Sequence, residues 1–530
     1  MKNMPKIKVY ESSKDQNKYR IIQQQPNETV AQALQREGYS LTIPCSGNGT
    51  CGKCRMLVLG GETKITAQDR HFLSEESLKR GERLMCRARF LTDGAICLPT
   101  EQTEKSDEQI QSVGITSSGT TKSGAMSAGN FGVAVDIGTT TIAMALVDQQ
   151  TGRIATSLTR NNSQRKYGAD VISRIKSANE GATQELKRLA WEDITKGMDQ
   201  LFEDCHPTRA ERLVISANTT MEHLLMGDSC RTLGEAPFQP SDISLRMTTV
   251  GEIWEQSPEQ YHSMQVTILP GISAFVGADI VSGMYDCGLH SATKAVLFID
   301  LGTNGEMVIG TKEGFLATAT AVGPAFEGGN ITCGCPGISG AISSVSMIGD
   351  RVVTHTIGNK KPVGICGTGV LELTYELYKS GIMDAQGNLR QPFLENGYPV
   401  AQMENGDRII YTQGDIRQLQ MAKAAIRSGI ELLMKESGLT VHDISKVFLA
   451  GGFGYKLNVY KAAGIGLIPR ELRDKTAACG NTSLQGAVRF LLEKDVAGKM
   501  QQMILKTKEM NLAAHPTFEK YYLKYMDFDA

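Results

Sequence analysis

The sequence predicts an α/β protein of two modules, and three observations carry that prediction. Apolar, strand-like runs alternate with amphipathic helical stretches along most of the chain. A stretch rich in Ser, Thr and Gly interrupts them near residue 100. A pair of apolar runs around a Gly/Thr turn occurs first at 131–148 and again 164 residues later. The chain has 530 residues, well beyond the roughly 100–200 of one typical domain. Lys+Arg 56 against Asp+Glu 57 leaves a net charge of −1, so no basic face offers itself to nucleic acid or to an anionic membrane. No apolar run approaches the roughly 20 residues that cross a bilayer, and the start, MKNMPKIKVYESSKDQNKYR, is charged without an apolar core. A cytoplasmic protein is expected, with neither nucleic acid nor membrane as partner.

The first module spans 1–98. It reads as a small sheet crossed by one helix: strands at Ile7–Tyr10 and Tyr19–Gln23, then a helix with Asn27 as its N-cap, Val30, Ala33 and Leu34 on one face, and Gly38 past its end. Residues 99–130 read as a flexible linker; nearly half of 101–130 is Ser, Thr or Gly, with no aromatic residue. A coil of that length spans about 30 Å. The remainder, 131–530, forms the second module, in two halves of about 131–290 and 291–495 with a helical C-terminal tail. FGVAVDIGTTTIAMALVD opens the first half and AVLFIDLGTNGEMVIG the second, so an internal duplication is expected; helical stretches such as ADVISRIKSANE and DIRQLQMAKAAIRSGIELLMKESG follow the copies.

Twelve cysteines are too sparse for a disulfide scaffold in so long a chain, but four share a ligand spacing. Cys45, Cys51 and Cys54 in PCSGNGTCGKC form C-x5-C-x2-C, and Cys86 follows after 31 residues. This is the pattern of a loop wrapped around a [2Fe–2S] cluster, one residue longer in its first gap than the plant-type spacing. Gly47, Gly49 and Gly52 let the backbone close in with its N–H groups aimed at the sulfurs. Zinc also accepts four cysteines, but it favours paired C-x2-C hooks, and the fourth cysteine here is single. GNGTCG matches G-x-G-x-x-G, yet it follows no strand and contains a ligand cysteine, so a dinucleotide site is set aside.

The second module has no P-loop. Asp136-Ile-Gly138-Thr139-Thr140 and Asp300-Leu-Gly302-Thr303-Asn304-Gly-Glu306 each end an apolar strand in an acid and turn through Gly and Thr. Such turns can offer N–H and hydroxyl donors to phosphate while the carboxylate holds Mg²⁺ through water. A third strand, KVFLAGGFG, runs into Gly451 and Gly452, where bare backbone can lie beneath an adenosine. Alone, each segment is also an ordinary β-turn.

Taken with their order, these motifs resemble known families. Residues 1–98 resemble ferredoxins of the β-grasp type. Residues 131 to about 495 resemble the duplicated, ribonuclease H-like superfamily of acetate and sugar kinases, Hsp70 and actin, whose ATP sits between two halves; RLVISANTTMEHLL, GICGTGVLEL and CGNTSLQGA add to the likeness. The combination of PCSGNGTCGKC, DIGTTT, DLGTNGE, GPAFEGGNI and LAGGFG resembles the ATP-dependent reductive activators of corrinoid proteins. The resemblance implies a [2Fe–2S] cluster on Cys45, Cys51, Cys54 and Cys86, ATP with Mg²⁺, and an electron passed to a corrinoid protein whose cobalt has fallen to Co(II), restoring Co(I) for methyl transfer. Asp136, Asp300 and Glu306 are the expected catalytic residues, with Gly138, Thr139, Thr140, Gly302, Thr303 and Asn304 on phosphate. An upstream ferredoxin, flavodoxin or reductase would supply the electron, and a homodimer is allowed. Some relatives carry a small extra domain after the linker, whereas here FGVAVDIG follows it directly. The competing readings are an activator of another low-potential metalloenzyme, a small-molecule kinase with a fused redox domain, and an electron-transfer scaffold with a degenerate nucleotide site.

The remaining candidates read as structural. Cys333-Gly-Cys335 and Cys366 are small interior residues before they are a second metal site, and Cys97, Cys205, Cys230, Cys287 and Cys479 have no partner spacing. His223 reads as a satisfied interior histidine, Asn218 and Thr219 as either site or helix cap, and the aromatic tail at 516–528 as core packing.

Overall fold

A computed structural model describes residues 4–10, 19–37, 39, 41, 49, 52, 54–98, 130–205, 209–349, 351–451 and 457–529. Gly38, Cys45, Gly47, Cys51, Gly452 and the stretch 99–129 lie outside the described residues. The chain divides into two compact units, Met1–Glu108 with Ser163–Gly181 and Gln109–Asn162 with Ala182–Ala530.

In the smaller unit KIKVY alternates Lys outward with Ile7 and Val9 fully buried, the period of a strand with one face on a core. Strands β1 (Lys6–Tyr10), β2 (Tyr19–Gln23), β3 (Arg55–Gly60), β4 (Glu82–Leu84) and β5 (Gly94–Cys97) form a sheet in the order β2-β1-β5-β3-β4. Helix Val30–Arg36 lays Val30, Ala33 and Leu34 into its core. The N-cap is Thr29 rather than Asn27: Thr29 and Gln32 form a capping box that satisfies two backbone donors, while Asn27 sits two residues earlier at φ +66°, outside the extended conformation typical of an N-cap.

The larger unit holds two sheets of the same plan. In the first, β6 (Asn130–Ile137), β7 (Thr141–Asp148) and β8 (Arg153–Asn161) form an antiparallel meander, β9 (Arg209–Ala217) joins β6 in parallel, and β10 (Arg246–Thr249) and β11 (Gln265–Ile268) complete the order β10-β11-β9-β6-β7-β8. In the second, β12 (Val296–Leu301), β13 (Asn304–Thr311) and β14 (Gly314–Ala321) repeat the meander. A small sheet of β15 (Ala341–Ile348), β16 (Arg351–Thr356) and β17 (Gly364–Ile365) and a ladder of β18 (Tyr398–Gln402) and β19 (Arg408–Tyr411) follow. The chain then returns through β20 (Lys446–Ala450) and β21 (Thr476–Gly480), both parallel additions beside β12, and ends the sheet with β22 (Thr507–Glu509), giving β21-β20-β12-β13-β14-β22. β6, β7, β8, β9 and β11 thus correspond to β12, β13, β14, β20 and β21. The duplication predicted from two hairpins extends over five strands, and the fold is the duplicated α/β architecture that the sequence led us to expect.

Two helices, Ala278–Asp286 and Thr482–Leu492, share one apolar core with strands of both sheets: Ile280, Val281 and Met284 from one, Leu484, Ala487 and Val488 from the other, with Val214 and Phe298 from the sheets. Helix Thr482–Leu492 follows the second sheet in sequence yet packs on β6 and β9 of the first. The two helices approach closely because glycines stand at their crossing. A Cβ on Gly283 would lie 2.7 Å from Thr482 Oγ1, and one on Gly486 would lie 2.4 Å from the Ser282 carbonyl. Helix Gln413–Glu436 covers the other face of the second sheet through Ile416, Leu419, Ile426, Ile430 and Leu433. The aromatic tail packs as core only at its end: Tyr525 and Phe528 are buried, with Lys423 Nζ 5.1 Å from the Phe528 ring centre, while Phe518, Tyr521 and Tyr522 on the helix before them stay partly exposed. Among the described residues no helix is long and apolar enough to cross a membrane.

Gly486→Ala forces a Cβ against main chain that cannot yield, so the helix crossing must open; chemical denaturation should show a loss of about 1–3 kcal/mol, the usual cost of overpacking.

Candidate functional site

The site grows out of the two equivalent hairpins. β6 ends in Asp136-Ile137, and the turn closes with Gly138 N–H bonding the Thr141 carbonyl at 2.9 Å. β12 ends in Asp300-Leu301, and Gly302 N–H bonds the Asn304 carbonyl at the same distance. Because β13 begins within the turn, register places Glu306 directly opposite Asp300; the corresponding partner of Asp136 across β7 is Ala143. Directly opposed residues on one face stand about 5 Å apart, so only the second hairpin carries two neighbouring carboxylates.

A fourth acid joins them. Asp279, in the first turn of helix Ala278–Asp286, lies within electrostatic reach of Asp136, Asp300 and Glu306. Burial pushes Asp279 up to about 7 with the Asp136 charge adding to it, and burial followed by Asp279 and Asp136 pushes Asp300 up to about 8. Glu306 is raised well above the usual carboxylate range, by burial first and then by Asp279 and Asp300. Asp136 is raised by burial too, although Asn481 Nδ2 and the Ser483 hydroxyl each donate to it at 2.7 Å. The Ser483, Ser216 and Ser282 hydroxyls are linked behind it in 2.9 Å steps. Among the described residues no three His, Cys, Asp or Glu side chains are placed to ligate a metal directly. The donor set therefore suits a hydrated cation, held through water by half-buried acids whose mutual repulsion it would offset.

The turn hydroxyls are directed by partners. Asn218 both caps helix Thr219–Met226, accepting from Met221 N–H at 3.0 Å, and donates to Thr139 Oγ1 at 3.3 Å, so the two roles read from the sequence coexist. The Thr140 and Thr303 hydroxyls each donate to Glu327 at 2.9 Å. Gly451, at φ +96° just past β20, sits against the second hairpin: a Cβ there would lie 2.4 Å from the Leu301 carbonyl and 2.8 Å from Asp300 Oδ1. The structure thus brings together Asp136, Thr139, Thr140, Asp300, Thr303, Asn304, Glu306 and Gly451 of the residues singled out in the sequence. It adds Asp279, Glu327, Asn481 and Ser483. Three of these four stand inside segments already noted, GPAFEGGNI and CGNTSLQGA, while Asp279 stands in GADIVSGM, where an acid in a helix's first turn passes for an ordinary dipole partner.

In the smaller unit Cys54 immediately precedes β3 and Cys86 stands two residues past the end of the β4 strand paired with it, with Arg55 opposite Leu84 and Met85 N–H bonding the Cys54 carbonyl at 2.8 Å. Strand pairing thereby carries the fourth cysteine back across its 31-residue gap. Both thiols are buried. Gly49 and Gly52 take φ of +72° and +64°, and a Cβ on either would strike Arg87 Nε at 2.3 Å or the Phe72 ring at 2.7 Å. A loop drawn this tightly beside two buried thiols fits a thiolate-ligated iron–sulfur cluster.

Other expectations resolve as follows. His223 is fully buried, its Nδ1 2.8 Å from the Thr219 carbonyl and its Nε2 accepting from Ser241 N–H at 3.0 Å. Cys366 is buried in a small apolar cluster that Cys335 borders. Cys287 and Cys479, without a partner in the sequence pattern, are hydrogen-bonded to each other.

Comparison with known proteins agrees with this geometry. Residues 13–91 match the 2Fe–2S iron–sulfur cluster binding domain, 131–292 the RACo middle region, and 294–530 the C-terminal domain of RACo, the ASKHA domain. The corrinoid activation enzyme RamQ of Eubacterium limosum is 32% identical over 420 residues, covering 74% of this chain and 69% of that one. This chain belongs to the RACo family. The [Co(II) methylated amine-specific corrinoid protein] reductase of Methanosarcina barkeri is 26% identical over 427 residues, covering 74% of this chain and 76% of that one. The solved structure of a reductive activator for corrinoid, iron–sulfur protein aligns with a TM-score of 0.70 at 26% identity, covering 99% of this chain and 98% of that one. The RACo middle region supplies the first of the two equivalent sheets and the ASKHA domain the second.

The acids dictate a pH dependence. Their folded-state pKa values lie above the unfolded ones, so the stability they contribute is full below about pH 4 and is lost as pH rises through 7 to 8. Thermal melts of the nucleotide-free protein should fall between pH 6 and 9, and Asp279→Asn, which removes one repelling charge, should flatten that slope and raise Tm by a few degrees at pH 8.

Proposed function

We propose that the protein is an ATP-dependent reductive activase that returns the cobalt of a corrinoid protein from Co(II) to Co(I). The observation that carries this reading is the presence in one RACo-family chain of two buried cysteines, Cys54 and Cys86, brought together by strand pairing within a 2Fe–2S-type domain, and a pair of acidic, hydroxyl-bearing hairpins. Cys45, Cys51, Cys54 and Cys86 would hold the [2Fe–2S] cluster, which supplies one electron at a time. An upstream ferredoxin, flavodoxin or reductase would load it. For a one-electron step every 59 mV uphill costs about 1.4 kcal/mol, which is why the chain needs an energy source beside its electron source.

The nucleotide site has a defined division of labour. Gly138, Gly302 and the Thr139, Thr140, Thr303 and Asn304 donors would bind phosphate, and Gly451 with Gly452 would face the adenosine. Asp136, oriented by Asn481 and Ser483, would share a hydrated Mg²⁺ with Asp300 and Asp279. Burial, Asp279 and Asp300 raise Glu306 well above the usual carboxylate range; a bound cation offsetting those charges would favour its carboxylate form, which could accept a proton from an attacking water. Two sheets sharing one helix-lined core can transmit a change at the hairpins through the crossing of Ala278–Asp286 and Thr482–Leu492.

The test mixes reduced protein with a Co(II) corrinoid protein and follows Co(I) absorption. Reduction should require ATP, and Asp300→Asn should lower the ATP-stimulated rate at least about tenfold while leaving the visible spectrum of the cluster unchanged; equal reduction without ATP would overturn the reading. Cys54→Ser should instead abolish the visible and EPR signals of the cluster and leave ATP turnover in place.

A further inference from the structure

Glu327 ends a single 3-10 turn, Pro324–Glu327, and its carboxylate spans the two halves of the larger unit. Oε2 accepts from the Thr140 hydroxyl of the first hairpin and Oε1 from the Thr303 hydroxyl of the second, both at 2.9 Å. We infer that Glu327 is a positioning strap that fills the phosphate position of the nucleotide-free protein and is displaced when nucleotide binds. This rests on the assignment of both hydroxyls to phosphate.

A carboxylate and a phosphate are both oxyanions, and each takes short, charge-assisted hydrogen bonds from hydroxyl donors. Two anions cannot share one pair of hydroxyls beside Asp136, Asp279, Asp300 and Glu306, because like charges at such range repel strongly in a half-buried site. Phosphate arriving at Thr140 and Thr303 therefore expels Glu327.

Where the strap can go is set by its ends. Gly323 N–H is tied to the Thr303 carbonyl at 3.0 Å, and Thr332 N–H to Asp415 Oδ1 at 2.7 Å, so the change is confined to 324–331. Gly323 and Gly328 flank the turn at φ +78° and +75° and provide its pivots. Phe326, one residue before Glu327, carries the first turn of helix Gly367–Lys379: a Cβ on Gly367 would lie 1.7 Å from the Phe326 carbonyl. That helix directly follows β17, so moving the strap moves the base of the small β15–β17 sheet. Nucleotide occupancy is thereby reported to the small β15–β17 sheet.

Calorimetric titration of the full-length holoprotein with a non-hydrolysable ATP analogue and Mg²⁺ tests the strap. Glu327→Ala frees both hydroxyls and should bind about tenfold tighter than wild type, and Glu327→Gln, uncharged but still an acceptor, should fall between. Hydrogen exchange gives a second readout: nucleotide should raise exchange across 324–331 in wild type, and Glu327→Ala should show the raised level before nucleotide is added. Unchanged or weaker binding by Glu327→Ala, or exchange in that segment indifferent to nucleotide in wild type, overturns the strap alone. Failure of wild type to bind the analogue at all overturns the phosphate assignment with it.

Discussion

Four buried carboxylates gathered at the junction of two sheets, three of them raised by one another's charge as well as by burial, are the constraint on which the larger unit turns. Folding brings them together in spite of their repulsion, because each stands on an element whose position is fixed by apolar packing: Asp136 and Asp300 end central strands, Glu306 faces Asp300 by strand register, and Asp279 opens a helix buried between the sheets. On the proposed reading, that unfavourable charge is what a bound cation would offset.

The duplication is not symmetrical, and its departures from symmetry are informative. The strand plan repeats over five positions, yet Glu306 has only Ala143 as its counterpart. The helix that follows the second sheet packs against the first and supplies, through Asn481 and Ser483, the groups that orient the first sheet's acid. Neither half is therefore complete by itself. Each contributes a strand end and a hydroxyl-bearing turn, and each depends on the other for the side chains that direct them.

Much of this was legible in the chain. Strand alternation, the repeated Asp-Ile-Gly-Thr and Asp-Leu-Gly-Thr turns and the cysteine spacing are local patterns, and local patterns survive in sequence. What was not legible depends on contacts between distant residues: Asp279 joins the acids only because a helix is buried between sheets, and Glu327 meets Thr140 across 187 residues. Cys287 and Cys479 are neighbours for the same reason. The misplaced cap at Asn27 is different in kind, since the Thr29-x-x-Gln32 box was written in the sequence and a more familiar capping residue nearby obscured it.

The pairing of β3 with β4 has a consequence for how the smaller unit matures. Three of the four cysteines read from the sequence as ligands stand close together in the chain, in PCSGNGTCGKC, but Cys86 comes to Cys54 only through the register that sets Arg55 opposite Leu84. A nascent or unfolded chain can offer three thiolates and no fourth, so iron and sulfide meet a finished binding site only after the sheet has closed. Metallation then reads out the completed fold, and a chain that carries its cofactor has already passed a structural checkpoint.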